Sequence, residues 1–182
     1  SSITKLLREY NLYVFDAEKL KVHGGMLRVY VSLNKKVATK KLKKILKGEN
    51  DKKIIKKIKK LNSFRLNFNN KIKNFLLNLR KKGKRIYGIG AAPRACVMIN
   101  SCALTNNEIR LVGEVPQSLK CNKYIPGTNI MVKNENKIIT EKPDYVIILA
   151  WHLKKRIINL LSKKGYKGKF ITPLPKLEII KK

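Results

Sequence analysis

Acidic residues are scarce in this chain. Eleven Asp and Glu stand against 43 Lys and Arg, a formal net charge of +32. Histidine occurs twice, cysteine three times and tryptophan once. Each shortage excludes something. No carboxylate pair is set for acid–base hydrolysis, no Ser/His/Asp series runs along the chain, and neither HExxH nor GxxxxGK[ST] occurs. Cys96, Cys102 and Cys121 are odd in number and have no CxxC spacing, which argues against a zinc site or a disulfide framework and for a reducing compartment. No metal site is therefore expected in the chain, and its residues carry none of these catalytic motifs. No apolar run reaches about 18 residues and no signal peptide is visible, so no membrane association is expected and the cytoplasm is the expected location. The basic excess is almost all lysine, without the aromatic–arginine clusters that stack on bases, so it reads as a solvated surface and no specific nucleic-acid partner is expected.

What is present supports a folded protein. The chain has 182 residues, 43% of them hydrophobic, enough for one domain or one and a half. Residues 1–33 read as helix, strand, strand. A helix capped by Ser1 or Ser2 has Ile3, Leu6, Leu7 and Tyr10 on its apolar face, and strands are expected at 12–15 and 26–33 around a turn at His23-Gly24-Gly25. A lone helix and two strands cannot bury a core, so this piece is expected to be the end of a larger domain. Residues 34–84 read as a basic helical stretch: a short helix with Leu42, Ile45 and Leu46, then a long one with Ile54, Ile58, Leu61, Phe68, Ile72, Phe75, Leu76 and Leu79, ending at Lys82-Gly83. From 85 to 182 strands and helices alternate. Strands are expected at 86–89, 109–112, 130–132, 145–150 and 170–171, with helices at 93–103 and 152–164. Alternation with continuous apolar strands implies an α/β domain with a parallel, Rossmann-like sheet and helices on both faces.

The sharpest local feature is Gly88-Ile-Gly-Ala-Ala-Pro-Arg94, where a strand passes through a glycine turn into a helix opened by proline. Turn N–H groups and the positive end of a helix together favour an anion, and Arg94 in the first helical turn suits a phosphate. A bare GxG also makes an ordinary tight turn, so this pattern alone leaves both readings open. Glu108 and Glu114 lie near the spacing at which a dinucleotide site places its acid, which keeps an NAD-type site open as well. Elsewhere, His23 is a turn histidine, and Arg28 on the following strand has the reach to meet an anion. Trp151 and His152 stand at a strand–helix corner. Tyr124, Pro126, Gly127 and Thr128 form a rigid loop of the kind that lines pockets or simply turns the chain.

Taken in order, His23-Gly-Gly-Met-Leu-Arg-Val-Tyr-Val31, Gly88-Ile-Gly-Ala-Ala-Pro-Arg94 with Asn100, Lys123-Tyr-Ile-Pro-Gly-Thr128, Pro143-Asp-Tyr145, Leu149-Ala-Trp-His152 and Gly168-Lys-Phe-Ile-Thr-Pro-Leu-Pro175 resemble the class I S-adenosylmethionine-dependent C-methyltransferases that act on nucleotide-linked sugars. The resemblance implies three divisions: 1–33 as the end of a methyltransferase domain, 34–84 as a helical connector, and 85–182 as a Rossmann-like C-terminal domain that helps hold the substrate. It also implies that the zinc module, the cofactor loop and the general-base motif lie upstream, in a preceding domain or a separate chain. S-adenosylmethionine then serves the whole enzyme without being held by this part alone. In the implied reaction a base removes a proton alpha to a keto group and the carbanion takes a methyl group from the sulfonium. The implied share of this chain is diphosphate binding by Gly90, Ala91, Ala92 and Arg94, with Asn100 further along the helix. His23 and Arg28 face the substrate cleft and Tyr124 and Thr128 line it. Met26 departs from a usual serine and Asn122 from a usual glycine. A non-catalytic or NAD-type nucleotide-binding module and a lysine-driven nucleic-acid-binding protein are the alternatives.

Overall fold

The computed structural model describes residues 1–22, 25–49 and 51–181, without the side chains of 51–53. His23 and Gly24, and with them most of the expected turn, lie outside the described residues. The chain forms two compact units, Ser1–Ser63 and Phe64–Lys182.

In the first unit, α1 (Ser2–Glu9) precedes an antiparallel pair, β1 (Tyr13–Leu20) and β2 (Met26–Ser32). Ser1 occupies the N-cap position of α1, but its side chain makes no capping bond. The pair is longer than expected: β1 continues through Asp16 and Glu18, with a shift of register between Val14 and Asp16. Helix α2 (Lys40–Lys47) packs on β1 and is well started. Thr39 is its N-cap, accepting the Leu42 N–H at 3.2 Å while its hydroxyl donates to Asp16. Between β1 and α2, Ala17 and Leu42 are buried.

Helix α3 (Asp51–Lys81) ends where lysines and a glycine foretold it: Gly83 takes φ +71°, the left-handed conformation of a helix C-terminus. In the second unit a six-stranded sheet follows: β3 (Ile86–Ile89), β4 (Leu111–Glu114), β5 (Met131–Asn134), β6 (Tyr145–Ile148), β7 (Lys169–Thr172) and β8 (Glu178–Ile180). Its spatial order is β5-β4-β3-β6-β7-β8, parallel except for β8. Counted within the sheet this is 3-2-1-4-5-6, the Rossmann order.

The strands alternate between two cores, as a sheet covered on both faces requires. Ile86, Val112, Ile147 and Ile171 face Ile72 and Leu76 of α3 and Ala95, Met98 and Ile99 of α4 (Pro93–Ser101). Tyr87, Ile89, Val146, Ile148 and Phe170 face Ile138 of α5 (Asn136–Glu141) and Ile157 and Leu161 of α6 (Lys154–Lys163). Cys102 is buried in the first of these cores and Cys96 packs against it as a small apolar residue. Burial pushes the Cys102 thiol up to about 11.

Several boundaries differ from expectation. The second strand is Leu111–Glu114 rather than 109–112, and the third is Met131–Asn134 rather than 130–132. The helix expected at 152–164 opens with a single tighter turn, Trp151–Leu153, before α6. Neither α5 nor β8 was expected. No described helix is long and apolar enough to cross a membrane.

Candidate ligand site at the β3–α4 turn

The sheet order reverses between β3 and β6, and at their carboxyl ends the two following segments leave toward opposite faces. In open α/β sheets such a switch point is where ligands bind. Here its walls are the β3–α4 turn (residues 90–92) and the corner at Ala150–Trp151. Gly90 has φ +93°, and a Cβ on it would stand 3.0 Å from the Ala150 Cβ. Glycine is therefore required for both the turn and the close approach of the two segments. Pro93 occupies the first helical turn of α4, where its missing N–H costs no bond. Trp151 is half-buried against the α3/α4 core, and His152 is exposed.

The turn amides are partly engaged. Gly90 N–H donates to the Gly113 carbonyl at 2.9 Å. Ala91 N–H donates to Glu114 Oε2 at 2.8 Å, and the other oxygen of that carboxylate accepts from Val115 N–H at 3.1 Å. The acid at the end of the second strand is thus tied back to the turn. The Arg94 side chain has no hydrogen bond or ion pair among the described residues, and it projects from an exposed position on the first turn of α4.

The other expected residues fall into two groups. Asn100 lies six residues beyond Arg94, about 9 Å along the helix axis. Its amide donates to Cys96 O at 2.8 Å and to Pro126 O at 2.9 Å. It clamps the 123–128 loop onto α4, and Gly127, at φ +75°, leaves the room: a Cβ there would meet Asn100 Oδ1 at 2.5 Å. Within that loop Thr128 donates to Ile125 O at 2.9 Å and accepts from Ile130 N–H at 3.1 Å, so its hydroxyl closes the turn. Tyr124 is exposed. Asn122 takes φ +63°, a left-handed conformation that asparagine tolerates in place of glycine. In the first unit, Arg28 pairs with Glu18 at 3.1 Å, while Met26 is exposed on β2. His23 lies outside the described residues.

Two polar anchors of the sheet were not expected. Asp144 accepts from Arg85 N–H at 2.9 Å and from Lys84 Nζ at 3.2 Å, joining the start of β3 to that of β6. The Arg85 amide, aided by Lys84, holds its carboxyl below the usual range. Tyr87 donates to Glu141, and burial together with that carboxylate pushes the phenol up to about 12. An acid just before an apolar strand was the visible trace of the first; nothing in the spacing marks the second.

Residues 21–175 match the model of a family described as the C-methyltransferase C-terminal domain. The chain is also 31% identical over 101 residues to the C-methyltransferase NovU of Streptomyces niveus, a stretch that covers 54% of this chain and 23% of that protein. The family match takes in β2 and the five parallel strands β3 to β7, ending at Pro175 before β8, and on that ground the chain belongs to the C-methyltransferase C-terminal domain family.

Proposed function

We propose that this chain is the substrate-holding part of an S-adenosylmethionine-dependent C-methyltransferase acting on a nucleotide-linked sugar or a similar activated metabolite. Its share is to grip the diphosphate. In this reading residues 1–33 close the methyltransferase domain, 34–84 connect, and 85–182 hold the substrate beside a domain, or a separate chain, that carries the cofactor and the base. The observation that carries the reading is the unpaired Arg94 at the N-terminus of α4, beside the switch point of a 3-2-1-4-5-6 sheet. Family membership supplies the reaction class.

The residues of the switch point do not fit the cofactor. A sulfonium is a cation, and the one carboxylate of the turn, Glu114, has both oxygens fixed by Ala91 and Val115 N–H and stands beside the cation of Arg94. No step of methyl transfer is assigned to these residues.

Calorimetric titration at about 0.3 M salt, which suppresses loose polyanion binding, tests the reading. The ligands are thymidine diphosphate, uridine diphosphate, NADH and S-adenosylmethionine. The expected result is saturable binding of the pyrimidine diphosphates, about tenfold weaker in Arg94→Ala, as loss of a charge-assisted hydrogen bond implies. Equal binding by wild type and Arg94→Ala, or a preference for NADH, refutes it.

A further inference from the structure

The turn amide that a phosphate would seek already holds an anion. Glu114 reaches from the end of β4 to Ala91 N–H at 2.8 Å, and its second oxygen is fixed by Val115 N–H at 3.1 Å. Both oxygens are anchored on backbone, so the carboxylate is part of the turn. It also lies near the N-terminus of α4, where the helix dipole favours negative charge, and so takes the role of an internal counter-ion. Gly90 N–H is engaged as well, with Gly113 O. Among the described residues, the Ala92 and Arg94 N–H groups and the Arg94 guanidinium remain for an incoming phosphate, beside a fixed negative charge.

We propose that Glu114 sets the charge this site accepts, making it choose a sugar-capped diphosphate over a free nucleoside diphosphate. The inference rests on the reading that the turn binds a diphosphate. A phosphate bonded on both sides carries one negative charge. A terminal phosphate carries about −1.5 to −2 at neutral pH. Beside Glu114 the extra charge of the uncapped group is repelled, and Arg94 alone cannot offset it. The device favours the loaded substrate and weakens the hold on a ligand that has lost its sugar. Glu114 acts here as a specificity-determining residue through charge and carries out no chemistry.

The test is titration of the chain with uridine diphosphate and uridine diphosphate glucose, in wild type, Glu114→Gln, Glu114→Ala and Arg94→Ala. Wild type is expected to prefer the capped ligand. In both Glu114 variants that preference shrinks by about fivefold, the size of one helix-terminal charge, because the uncapped ligand gains. Glu114→Gln keeps the shape of the side chain and Glu114→Ala does not, so agreement between them separates charge from packing. Arg94→Ala weakens both ligands, the more highly charged uncapped one more, so the preference for the capped ligand grows, opposite in sign to the Glu114 effect. An unchanged ratio in both Glu114 variants, with Arg94→Ala still weakening both ligands, overturns this inference and leaves the diphosphate site standing. No response of either ligand to Arg94→Ala, or no binding by any form, overturns the site and the inference together.

Discussion

The two units use their apolar residues differently. In Phe64–Lys182, Val146, Ile147 and Phe170 are fully buried, with helices over both faces of the sheet. In Ser1–Ser63, Ala17 and Leu42 are the buried apolar residues among those described, while Ile3, Leu6, Leu27 and Leu33 are open to solvent. Helix α3 contains the contrast within itself. Ile58, Leu61, Ile72 and Leu76 follow one stripe at helical spacing. Ile58 is 59% exposed and Leu61 64%, whereas Ile72 and Leu76 are fully buried. The sequence pattern is the same along the helix, and only the neighbours differ. Periodicity tells which face of a helix seeks cover and leaves open whether cover is supplied.

The largest expected effect breaks or confirms this contrast directly. Leu76→Ala should cost about 2–5 kcal/mol, the usual range for a leucine removed from a packed core. Ile58→Ala should change stability by less than about 0.5 kcal/mol, as an exposed position does. Denaturant unfolding reads the second unit through the fluorescence of the sole tryptophan, Trp151, which packs against the same core as Leu76, and reads the helix around Ile58 through far-UV circular dichroism. Equal losses from the two variants would mean that Ile58 is covered in solution. Amide exchange sharpens the same comparison. The β1–β2 pair is a two-stranded sheet, marginal by itself, so its amides should exchange well before those of β3 and β6.

The buried half of this contrast was the legible half. Continuous apolar runs at 86–89 and 145–148 forecast central strands, and the run Gly88–Arg94 forecast the turn at the sheet's switch point. The misplaced and missed elements share a physical cause: their signal is carried by backbone or by very few residues. β4 lies two residues beyond the expected 109–112 and runs through Gly113. In the structure its bare Cα admits Ile138, whose Cδ1 would lie 2.8 Å from a Cβ there. Helix α5 has six residues, too few to display a period, and β8 has three after two prolines. β1 runs on past the expected 12–15 through Asp16 and Glu18, half-buried acids held by Thr39 and by Arg28 and Tyr30, partners that lie far along the chain. The candidate site was legible in its glycines and Arg94. That Glu114 turns back onto Ala91, and that Asn100 clamps a loop, depends on long-range geometry that spacing cannot carry.

Gly127 and Asn100 give the second prediction, of intermediate size, at the loop clamped on α4. Gly127→Ala forces a side chain into the left-handed region, a cost of about 1–2 kcal/mol, and drives its Cβ against Asn100 Oδ1. Asn100→Ala removes two hydrogen bonds to carbonyl oxygens, at about 0.5–1.5 kcal/mol each. Because the two side chains compete for one space, the double variant should lose less than the sum, by at least about 0.5 kcal/mol. Strict additivity in a double-mutant cycle would show that the clamp is not formed. In the β1–β2 pair, by contrast, a Cβ on Gly25 meets no atom within 4 Å.

The smallest effect concerns acid stability, and again sets the second unit against the first. Asp144 is held below its ordinary value of 3.8, chiefly by the Arg85 amide and further by Lys84. A depressed carboxylate contributes stability that is fully present above its unfolded value and is lost as pH falls through the folded one. Asp144→Asn should therefore weaken the second unit at neutral pH and flatten the acid limb of its stability profile below about pH 4. Glu18, in the hairpin of the first unit, is also lowered, chiefly by the Tyr30 hydroxyl, but its ionic partner Arg28 is open to water. Salt and solvent screen such a pair, so Glu18→Gln should leave the acid limb of the first unit almost unmoved. Amide exchange measured from neutral to acid pH, with the β3 and β1 amides followed separately, reads both variants at once. A larger acid response to Glu18→Gln than to Asp144→Asn would reverse the assignment, making the open hairpin and not the sheet the acid-sensitive part of the molecule.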